Sequence, residues 1–315
     1  MAQLIPISAL LPTRDRILSL SKMLASLAKQ TVQPAEIIIV DASGDELTKR
    51  LCQSQIPDLD SQINYYQAID PGAATQRNQA FLYAAQDFIW LIEDDITFEP
   101  YCLERLWAAL QSDPNLGGVN AMITNQQYVP PGRVSRYIFR YLNGRQEASY
   151  AGKCLGGAVN LLPEDNPNFP DVVAVEWLNS GCTIYRRAAL PTPLFPPIFT
   201  GYSLMEDLTL SLTVGKQWKL ANVRTARIFH DSQPGEYKSD LGILAKMDLV
   251  NRHYVMTQVL AKNSWQDYLK LAVFQVFNLA GYVRTSRNWL LIPKLIGGKF
   301  RAILEIITSK YQVVK

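Results

Sequence analysis

Apolar residues in the first 125 positions follow two alternating patterns. Short consecutive apolar runs indicate buried strands, whereas apolar residues that recur every three or four positions indicate helices. The predicted strands are Ile5–Leu11, Glu36–Val40, Ile63–Ile69, Phe88–Ile92 and Gly118–Thr124. The predicted helices are Ile17–Leu27, Thr75–Gln86 and Tyr101–Leu110. This alternation favours an α/β fold, in which a mostly parallel sheet carries helices on both faces.

The pattern changes after residue 125. Residues 126–171 are rich in Pro, Gly and Tyr and predict long loops with a short helix. Two further strands are predicted at Val172–Trp177 and Thr183–Arg186, and a helix at Leu204–Val214. Beyond Pro234 three stretches are mostly helical, at 237–261, 265–282 and 289–308. We therefore expect one α/β domain at 1–233 and a C-terminal helical region at 234–315.

Polar residues follow three of the predicted strands, at Thr13–Asp15, Asp41–Asp45 and Glu93–Asp95. The carboxyl ends of parallel strands meet at one edge of a sheet, where such folds bind ligands. Three adjacent carboxylates repel one another and are costly to remove from water unless a cation or a shared proton compensates. Mg²⁺ and Mn²⁺ prefer carboxylate oxygens, so the acidic run predicts a metal site. The alternative is a solvated turn that leads into the helix near Pro100.

Four residues outside these strand ends are further candidates. Glu206 and Asp207 lie within a helical apolar pattern, so one of them is either a general base that faces a cleft or a charge at a helix N-terminus. His230 follows a strand-like stretch and either completes a metal shell or is an ordinary edge histidine. Arg77, at the start of a helix, either pairs with a diphosphate, clamps an acidic loop or is an ordinary exposed arginine.

Composition narrows the class of protein. Hydrophobic residues make up 48% of the chain and charged residues 19%, which is typical of an ordered globular protein. The net charge of +3 gives no reason to expect nucleic-acid binding. Basic residues nevertheless gather near the end, and they indicate either a face near phosphate or anionic lipid or a solvated helix face. They are Arg284, Arg287, Lys294, Lys299, Arg301 and Lys310.

The cysteines and the apolar segments indicate in which cellular compartment the protein is expected. Four widely spaced cysteines, without metal-ligand spacing, indicate reduced thiols in a cytoplasmic protein. The first residues lack the basic leader and cleavage site of a signal peptide. The segment 269–283 is interrupted by polar residues and falls short of a membrane span.

Six short motifs occur in an order and at a spacing that resemble the inverting family 2 glycosyltransferases. They are ISALLPTRDR, SLAKQT, IIIVDASGD, QRNQA, IWLIEDD and MEDLTL, and they cover roughly residues 5–231. The segment KMDLVNRHYVMTQVL is similar to a helix of rhamnosyltransferase-like bacterial members. The resemblance implies the GT-A nucleotide-sugar fold in residues 1–233, with a donor half at 1–125 and an acceptor half at 126–233.

The resemblance also implies roles for individual residues. A first group would hold the base and ribose of a nucleotide, with Arg77 nearby: Pro12, Thr13, Arg14, Asp15 and Asp41. Asp94 would lie near the ribose or the metal, and Asp95 and His230 would bind Mg²⁺ or Mn²⁺. Asp207 would be the base that deprotonates the acceptor hydroxyl.

The chain departs from the family pattern at several points. Glu93 stands where the family has the first Asp of a triplet, and Gln76 and Ala80 replace the usual Ala and Gly around Arg77-Asn78. The Arg that often follows the E-D pair is absent. The QxxRW motif of processive members is absent too, so we expect a single-addition enzyme.

The expected function is sugar transfer from a UDP- or dTDP-sugar to a saccharide or lipid-linked saccharide, in cell-surface polysaccharide synthesis. The C-terminal helices would either rest on the inner face of the membrane or pack against the catalytic domain. The main alternative is a non-catalytic relative that binds a nucleotide-sugar or glycan in an assembly complex. A nucleotidyltransferase is disfavoured because LLPTRDR lacks the Gly-rich loop of that class.

Overall fold

The computed structural model describes residues 2–126, 128–232, 240–283 and 286–308. The chain divides into two compact units. The first unit comprises Met1–Val129, Ala151–Lys153 and Leu161–Gln233, and the second comprises Pro130–Tyr150, Cys154–Asn160 and Pro234–Lys315. The second unit thus includes two segments that lie inside the predicted domain 1–233. The functional division into an α/β domain at 1–233 and a helical region at 234–315 stays a prediction.

Eleven strands are found within the described residues. In chain order they are β1 (Gln3–Thr13), β2 (Val32–Asp41), β3 (Gln62–Gln67), β4 (Phe88–Ile92), β5 (Ile96–Phe98), β6 (Leu116–Ile123), β7 (Cys154–Leu155), β8 (Val159–Asn160), β9 (Val172–Val175), β10 (Cys182–Arg186) and β11 (Lys219–His230). The central sheet has the order β3-β2-β1-β4-β10-β6-β11-β5, and β9 also pairs with β11. β1 to β4 run parallel, as do β6 and β11, while β10, β5 and β9 pair antiparallel with their neighbours.

Helices flank this sheet in the first unit. They are α1 (Ile17–Ala28), α2 (Leu47–Gln53), α3 (Ala73–Tyr83), α4 (Cys102–Ser112) and α6 (Glu206–Val214), with α5 (Arg133–Asn143) belonging to the second unit. α1 and α4 bury apolar residues such as Leu20, Leu24 and Leu106 in the core that lies against β1 and β4. β4 runs buried from Ile89 to Ile92 because both faces of the sheet are covered. The α/β fold class predicted from the sequence is confirmed.

The second unit is mainly helical. Besides α5 it contains α7 (Leu241–Tyr254), α8 (Trp265–Val283) and α9 (Ile292–Thr308), together with the small β7–β8 pair. The predicted C-terminal helices are therefore present. Residues 237–239 of the first predicted stretch lie outside the described residues, as do Arg284 and Lys310. Within the described ranges, no helix combines the length and apolar character needed to cross a lipid bilayer.

Candidate active site

The ends of β1, β2 and β4 bring predicted site residues together at one edge of the sheet. Thr13 and Asp41 are direct partners at the ends of the parallel strands β1 and β2. β4 lies on the other side of β1, and the chain continues from it into Glu93, Asp94 and Asp95. Thr13 Oγ1 donates a hydrogen bond of 2.7 Å to Asp94 Oδ2. The parallel register thus produces the coincidence of polar strand ends that the sequence predicts.

Asp41 holds the loop that follows β2. The fully buried Asp41 Oδ1 accepts hydrogen bonds from the backbone N–H and the hydroxyl of Ser43, and Tyr65 Oη donates to its Oδ2 at 3.2 Å. Ser43 Oγ accepts in turn from the backbone N–H of Asp15 at 2.7 Å. Burial and the charge of Asp41 raise the pKa of Tyr65 to about 12, so Tyr65 remains a hydrogen-bond donor.

The turn after β1 exposes its side chains. Pro12 lies within the β1–β2 ladder opposite Val40, and Arg14 forms an ion pair of 3.4 Å with Asp15. Asp15 adopts a φ of 53°, in the left-handed region that Asp tolerates better than most residues. The side chains of Arg14 and Asp15 are therefore available at this edge, whereas Asp41 has its oxygens engaged by protein groups.

Asp94 is buried and forms an ion pair with Arg16. Arg16 Nη1 lies 3.1 Å from Asp94 Oδ1 and 3.3 Å from Asp95 Oδ2. Burial raises the pKa of Asp94 to about 6, although Arg16 and the Thr13 hydroxyl oppose that rise. Asp94 thus belongs to a hydrogen-bonded chain that runs from Thr13 to Asp95.

Glu93, Asp95 and His230 form a cluster of potential metal ligands. Each offers one ligand atom, and these atoms lie within 4.8 Å of one another. His230 Nε2 is 3.2 Å from Asp95 Oδ1 and 3.3 Å from Glu93 Oε2. The antiparallel ladder between β5 and β11 creates this arrangement, because Ile96 pairs with His230 and the Asp231 N–H bonds to the Asp95 carbonyl at 2.8 Å.

The donor set of this cluster fits a divalent cation. Ligands in adjacent positions on an octahedral ion with bonds of about 2.1 Å lie about 3 Å apart, close to the two distances at His230 Nε2. Two carboxylates and one imidazole provide hard oxygen atoms and one neutral nitrogen, a set that suits Mn²⁺ or Mg²⁺. Glu93, Asp95 and His230 are thus the residues that would hold the ion.

One side-chain amide contacts the other side of the His230 imidazole, and a second one holds the His230 backbone. Gln126 Nε2 lies 3.2 Å from Nδ1, and the Asn125 side chain bonds to both the N–H and the carbonyl of His230, at 3.1 Å and 2.9 Å. Such outer contacts fix the orientation of a metal-binding histidine. The ring is therefore positioned before any ligand arrives.

Arg77 is buried between acidic residues. Its Nη1 lies 3.0 Å from Glu206 Oε1, and its Nη2 lies 3.4 Å from Glu93 Oε1 and 3.4 Å from the carbonyl of Ser180. Arg77 is 1% exposed. Arg77 is therefore not an exposed arginine and contacts the acids of two segments, while a direct contact with a nucleotide stays a prediction.

Glu206 and Asp207 lie side by side in the first turn of α6. Burial raises the pKa of Glu206 to about 8, and the neighbouring charge of Asp207 adds to this rise while Arg77 opposes it. Burial also raises the pKa of Asp207 to about 6, although the Leu208 N–H donates to its carboxylate at 2.7 Å. Glu93 contributes to the rise in the pKa of Asp207, so the α6 acids and the metal cluster share one electrostatic field.

The segment before α6 has a strained backbone. Gly201, Ser203 and Met205 all have positive φ, at 60°, 55° and 73°. Gly201 pairs with Gly72, which lies just before α3 at a φ of 145°. Positive φ at two non-glycine residues costs free energy, and the surrounding contacts must hold it. These contacts direct the acids of α6 toward the edge where Glu93 lies.

Four residues of the site received no role or only a weak one from the sequence. The structure identifies these residues by contacts that involve strand ends, α1 and α6: Arg16, Glu93, Gln126 and Glu206. A signal was present only for Glu93 and Glu206, which stand next to predicted site residues. The contacts of Arg16 and Gln126 depend on the tertiary arrangement.

Comparison with known families and curated proteins gives consistent matches. The family model described as "Glycosyl transferase family 2" matches residues 8–159. "Uncharacterized glycosyltransferase YwdF" of Bacillus subtilis (strain 168) is 31% identical over 100 residues. That alignment covers 32% of this chain and 36% of the relative, so it spans well under two thirds of that protein.

Solved structures resemble the chain in fold. GalNAc-T7 with UDP, GalNAc and Mn²⁺ has a TM-score of 0.54 at 14% identity, over 80% of this chain and 50% of that one. The mannosyltransferase PcManGT of Pyrobaculum calidifontis, with GDP-Man and Mn²⁺, has a TM-score of 0.52 at 13% identity, over 95% and 87%. TarS 1-349 of S. aureus with UDP-GlcNAc has a TM-score of 0.51 at 15% identity, over 96% and 92%. The shared architecture is the GT-A fold.

Proposed function

Because the model of glycosyl transferase family 2 matches residues 8–159, we propose that the chain is a member of that family and an inverting, metal-dependent enzyme that transfers a single sugar from a UDP- or dTDP-sugar. The acceptor is a saccharide or a lipid-linked saccharide used in cell-surface polysaccharide synthesis. The observation that carries the proposal is the pairing of the Glu93–Asp95–His230 cluster with the Glu206–Asp207 pair through Arg77. Solved neighbours that hold UDP-GlcNAc or GDP-Man support a nucleoside-diphosphate donor.

The donor would lie along the carboxyl ends of β1, β2 and β4. Arg14 and Asp15 present exposed side chains at this edge, and Pro12 and Thr13 shape its backbone. Asp41 and Asp94 would contact the base and ribose of the donor, or they would hold the loops that make these contacts. The second role is supported because their oxygens already accept hydrogen bonds from Ser43, Tyr65 and Thr13. Arg77 would support the site by holding Glu93 and Glu206.

Asp95, His230 and Glu93 would hold a divalent ion, which would neutralise the charge of the diphosphate leaving group. Asp207 accepts the proton of the acceptor hydroxyl, and that oxygen forms a bond to the anomeric carbon. The bond between this carbon and the diphosphate breaks, and the nucleoside diphosphate leaves with the electron pair. A pKa of about 6 keeps Asp207 mostly ionised at neutral pH while leaving it a stronger base than an exposed aspartate.

The alternative is a non-catalytic relative that binds a nucleotide-sugar or a glycan. Such a protein would need the donor-binding edge at the carboxyl ends of β1, β2 and β4. It would not need a carboxylate with a raised pKa at Asp207. The presence of both features favours the enzyme.

Hydrolysis and transfer assays with UDP- and dTDP-sugars in Mn²⁺ test the proposal. Asp207→Asn should abolish turnover while donor binding, measured by calorimetry, is kept. Asp95→Ala should remove the metal dependence of donor binding. Asp113→Asn, a partly exposed aspartate paired with Lys219 in the loop before β6, is the control and should behave as wild type in turnover and donor binding. Full turnover in Asp207→Asn would contradict the assignment of the base, and donor binding with no turnover in the wild-type protein would support the non-catalytic alternative.

A further inference from the structure

The two units carry opposite charge. The second unit has 16 Lys and Arg against 6 Asp and Glu, a formal charge of +10. The first unit has 15 basic against 22 acidic residues, a formal charge of −7. The small net charge of the whole chain therefore conceals a strongly basic unit. Such an asymmetry is typical of a segment that approaches a polyanionic surface.

α9 is apolar on two opposite faces. Its inner face packs on α7: a Cβ at Gly298 would lie 2.2 Å from the Gly242 carbonyl, and Leu295 and Ala302 are buried. The other face is exposed, and its residues follow the i, i+4, i+7, i+8, i+11 spacing of one helix stripe. This outer stripe consists of Ile296, Phe300, Ile303, Leu304 and Ile307. These five side chains are 46% to 75% exposed, so the stripe is a continuous apolar surface of the second unit.

Exposed cations accompany the apolar residues of this unit. Lys294 and Arg301 lie on α9 itself, and both are exposed. α5 exposes Arg133, Arg136 and Arg140 and contains no acidic residue. An exposed apolar helix face in a unit rich in Lys and Arg has the composition of a helix that lies in a lipid interface.

We propose that the second unit binds an anionic membrane surface, with the outer stripe of α9 inserted at the boundary between headgroups and acyl chains. The basic residues of the unit supply the attraction to anionic headgroups. A second copy of the chain would bring two units of charge +10 together, which Coulomb repulsion opposes. A nucleic acid would satisfy the cations but would leave the aliphatic stripe in water.

Membrane binding of this kind goes beyond the proposed sugar transfer and does not depend on it. It would place the enzyme beside a lipid-linked acceptor. The two proposals fail separately, because vesicle binding is measured without donor and donor hydrolysis is measured without vesicles.

Co-sedimentation with vesicles of phosphatidylcholine, with and without phosphatidylglycerol, tests the proposal on the full chain. We expect binding only to the vesicles that contain phosphatidylglycerol, and weaker binding at high salt. The affinity of the double variant Phe300→Ser/Ile307→Ser for these vesicles should fall at least about tenfold, because two large apolar groups no longer insert. Arg133→Gln/Arg136→Gln/Arg140→Gln should weaken binding and reduce its dependence on salt.

The matched control is Leu18→Ser in the first unit. Leu18 is 76% exposed, as Ile307 is 75%, so both substitutions remove a similarly exposed aliphatic side chain. The control should bind vesicles as wild type does, and unchanged thermal unfolding should show that each variant is folded. Wild-type affinity of the α9 double variant would overturn the proposal. The proposal would also be overturned if the wild-type protein bound no vesicles. A double variant that only converted a dimer to a monomer in light scattering would then identify the stripe as a contact between two copies. A wild-type protein that bound RNA in preference to vesicles would overturn the proposal too.

Discussion

Arg77 Nη1 lies 3.0 Å from Glu206 Oε1, and both residues are buried although 129 positions separate them in the chain. The same guanidinium reaches Glu93 at 3.4 Å. Arg77 therefore links the acid at the end of β4 to the acid pair at the start of α6. A buried ion pair is weak evidence for net stability, but removal of one partner leaves a buried charge without compensation. The link gives Arg77 a measurable structural role in the site.

At pH 9, where Glu206 with its pKa of about 8 is ionised, Arg77→Met should destabilise the protein by about 3–5 kcal/mol, because the buried Glu206 and the partly exposed Glu93 lose their cation. Urea unfolding followed by circular dichroism measures this change. Adding Glu206→Gln to Arg77→Met should recover part of the loss, since the buried carboxylate is then absent. Lys49→Met removes the cation of an exposed pair with Glu46 at 3.1 Å and should cost at most about 1 kcal/mol. Equal effects of Arg77→Met and Lys49→Met would contradict the buried clamp.

The pH dependence of kcat should identify the base. Burial raises the pKa of Asp207 to about 6, and a general base must be deprotonated, so kcat at saturating donor should rise as pH increases through about 6 and then level off. Asp94 has a similar pKa, but a titration that affects donor binding appears in KM and is removed from kcat by saturation. A kcat that does not change between about pH 5 and pH 8 would contradict a buried carboxylate as the base.

Gly72→Ala should disturb the approach of α3 to the segment that precedes α6. Gly72 has a φ of 145°, and an added Cβ would lie 3.0 Å from Thr75 Oγ1 and 3.2 Å from the Gly201 N. Both the strained φ and the close contact oppose a side chain, so we expect a loss of about 1–3 kcal/mol in the free energy of unfolding together with a lower kcat. Gly44→Ala is the control, because its Cβ would meet nothing within 4 Å. Wild-type stability and kcat in Gly72→Ala would show that the pairing with Gly201 does not position α6.

The polar strand ends of the site were predictable because they are local features. The apolar run Phe88–Ile92 followed by three acids marks a strand end without any tertiary information, and the same holds for Thr13 after β1 and Asp41 after β2. Parallel pairing then places these ends together, as the β1–β2 register shows. The α/β class follows from the same alternation of strand and helix patterns.

The contacts that complete the site were not predictable from local patterns. β5 has only three residues, Ile96–Phe98, too few to give a periodicity, yet its pairing with β11 sets His230 beside Asp95. The sequence singled out His230 by its position after a strand-like stretch, but no local pattern showed that it lies beside Asp95. The composition of the second unit is likewise not a local feature, because α5 is grouped with the C-terminal helices by packing rather than by chain continuity.

Gln76→Ala introduces the residue that the family usually carries before Arg77, and we expect it to be unfavourable here. Gln76 Nε2 donates to the carbonyls of Thr13 and Val40 at 3.0 Å and 2.7 Å, and its Oε1 accepts from the Gly72 N–H at 3.1 Å. Loss of these buried bonds should cost about 1–3 kcal/mol and raise the KM for the donor, because the ends of β1 and β2 lose their brace. The control is Gln62→Ala, an exposed glutamine that bonds to Asn64, which should leave stability and KM unchanged. A fully stable Gln76→Ala with normal KM would mean that the strand ends are held without the brace.

Glu93→Gln should separate the two contacts that Glu93 makes. Its Oε2 faces His230 in the metal cluster, and its Oε1 faces Arg77. Removing one of two carboxylate charges from the cluster should weaken Mn²⁺ binding about tenfold or more, as measured by calorimetry without nucleotide. Glu99→Gln, which alters an exposed carboxylate 3.5 Å from Arg227, should bind Mn²⁺ as wild type does. If Glu93→Gln instead kept its Mn²⁺ affinity but lost stability in urea, Glu93 would act with Arg77 as part of the clamp, and Asp95 and His230 would be the protein's ligands for the ion.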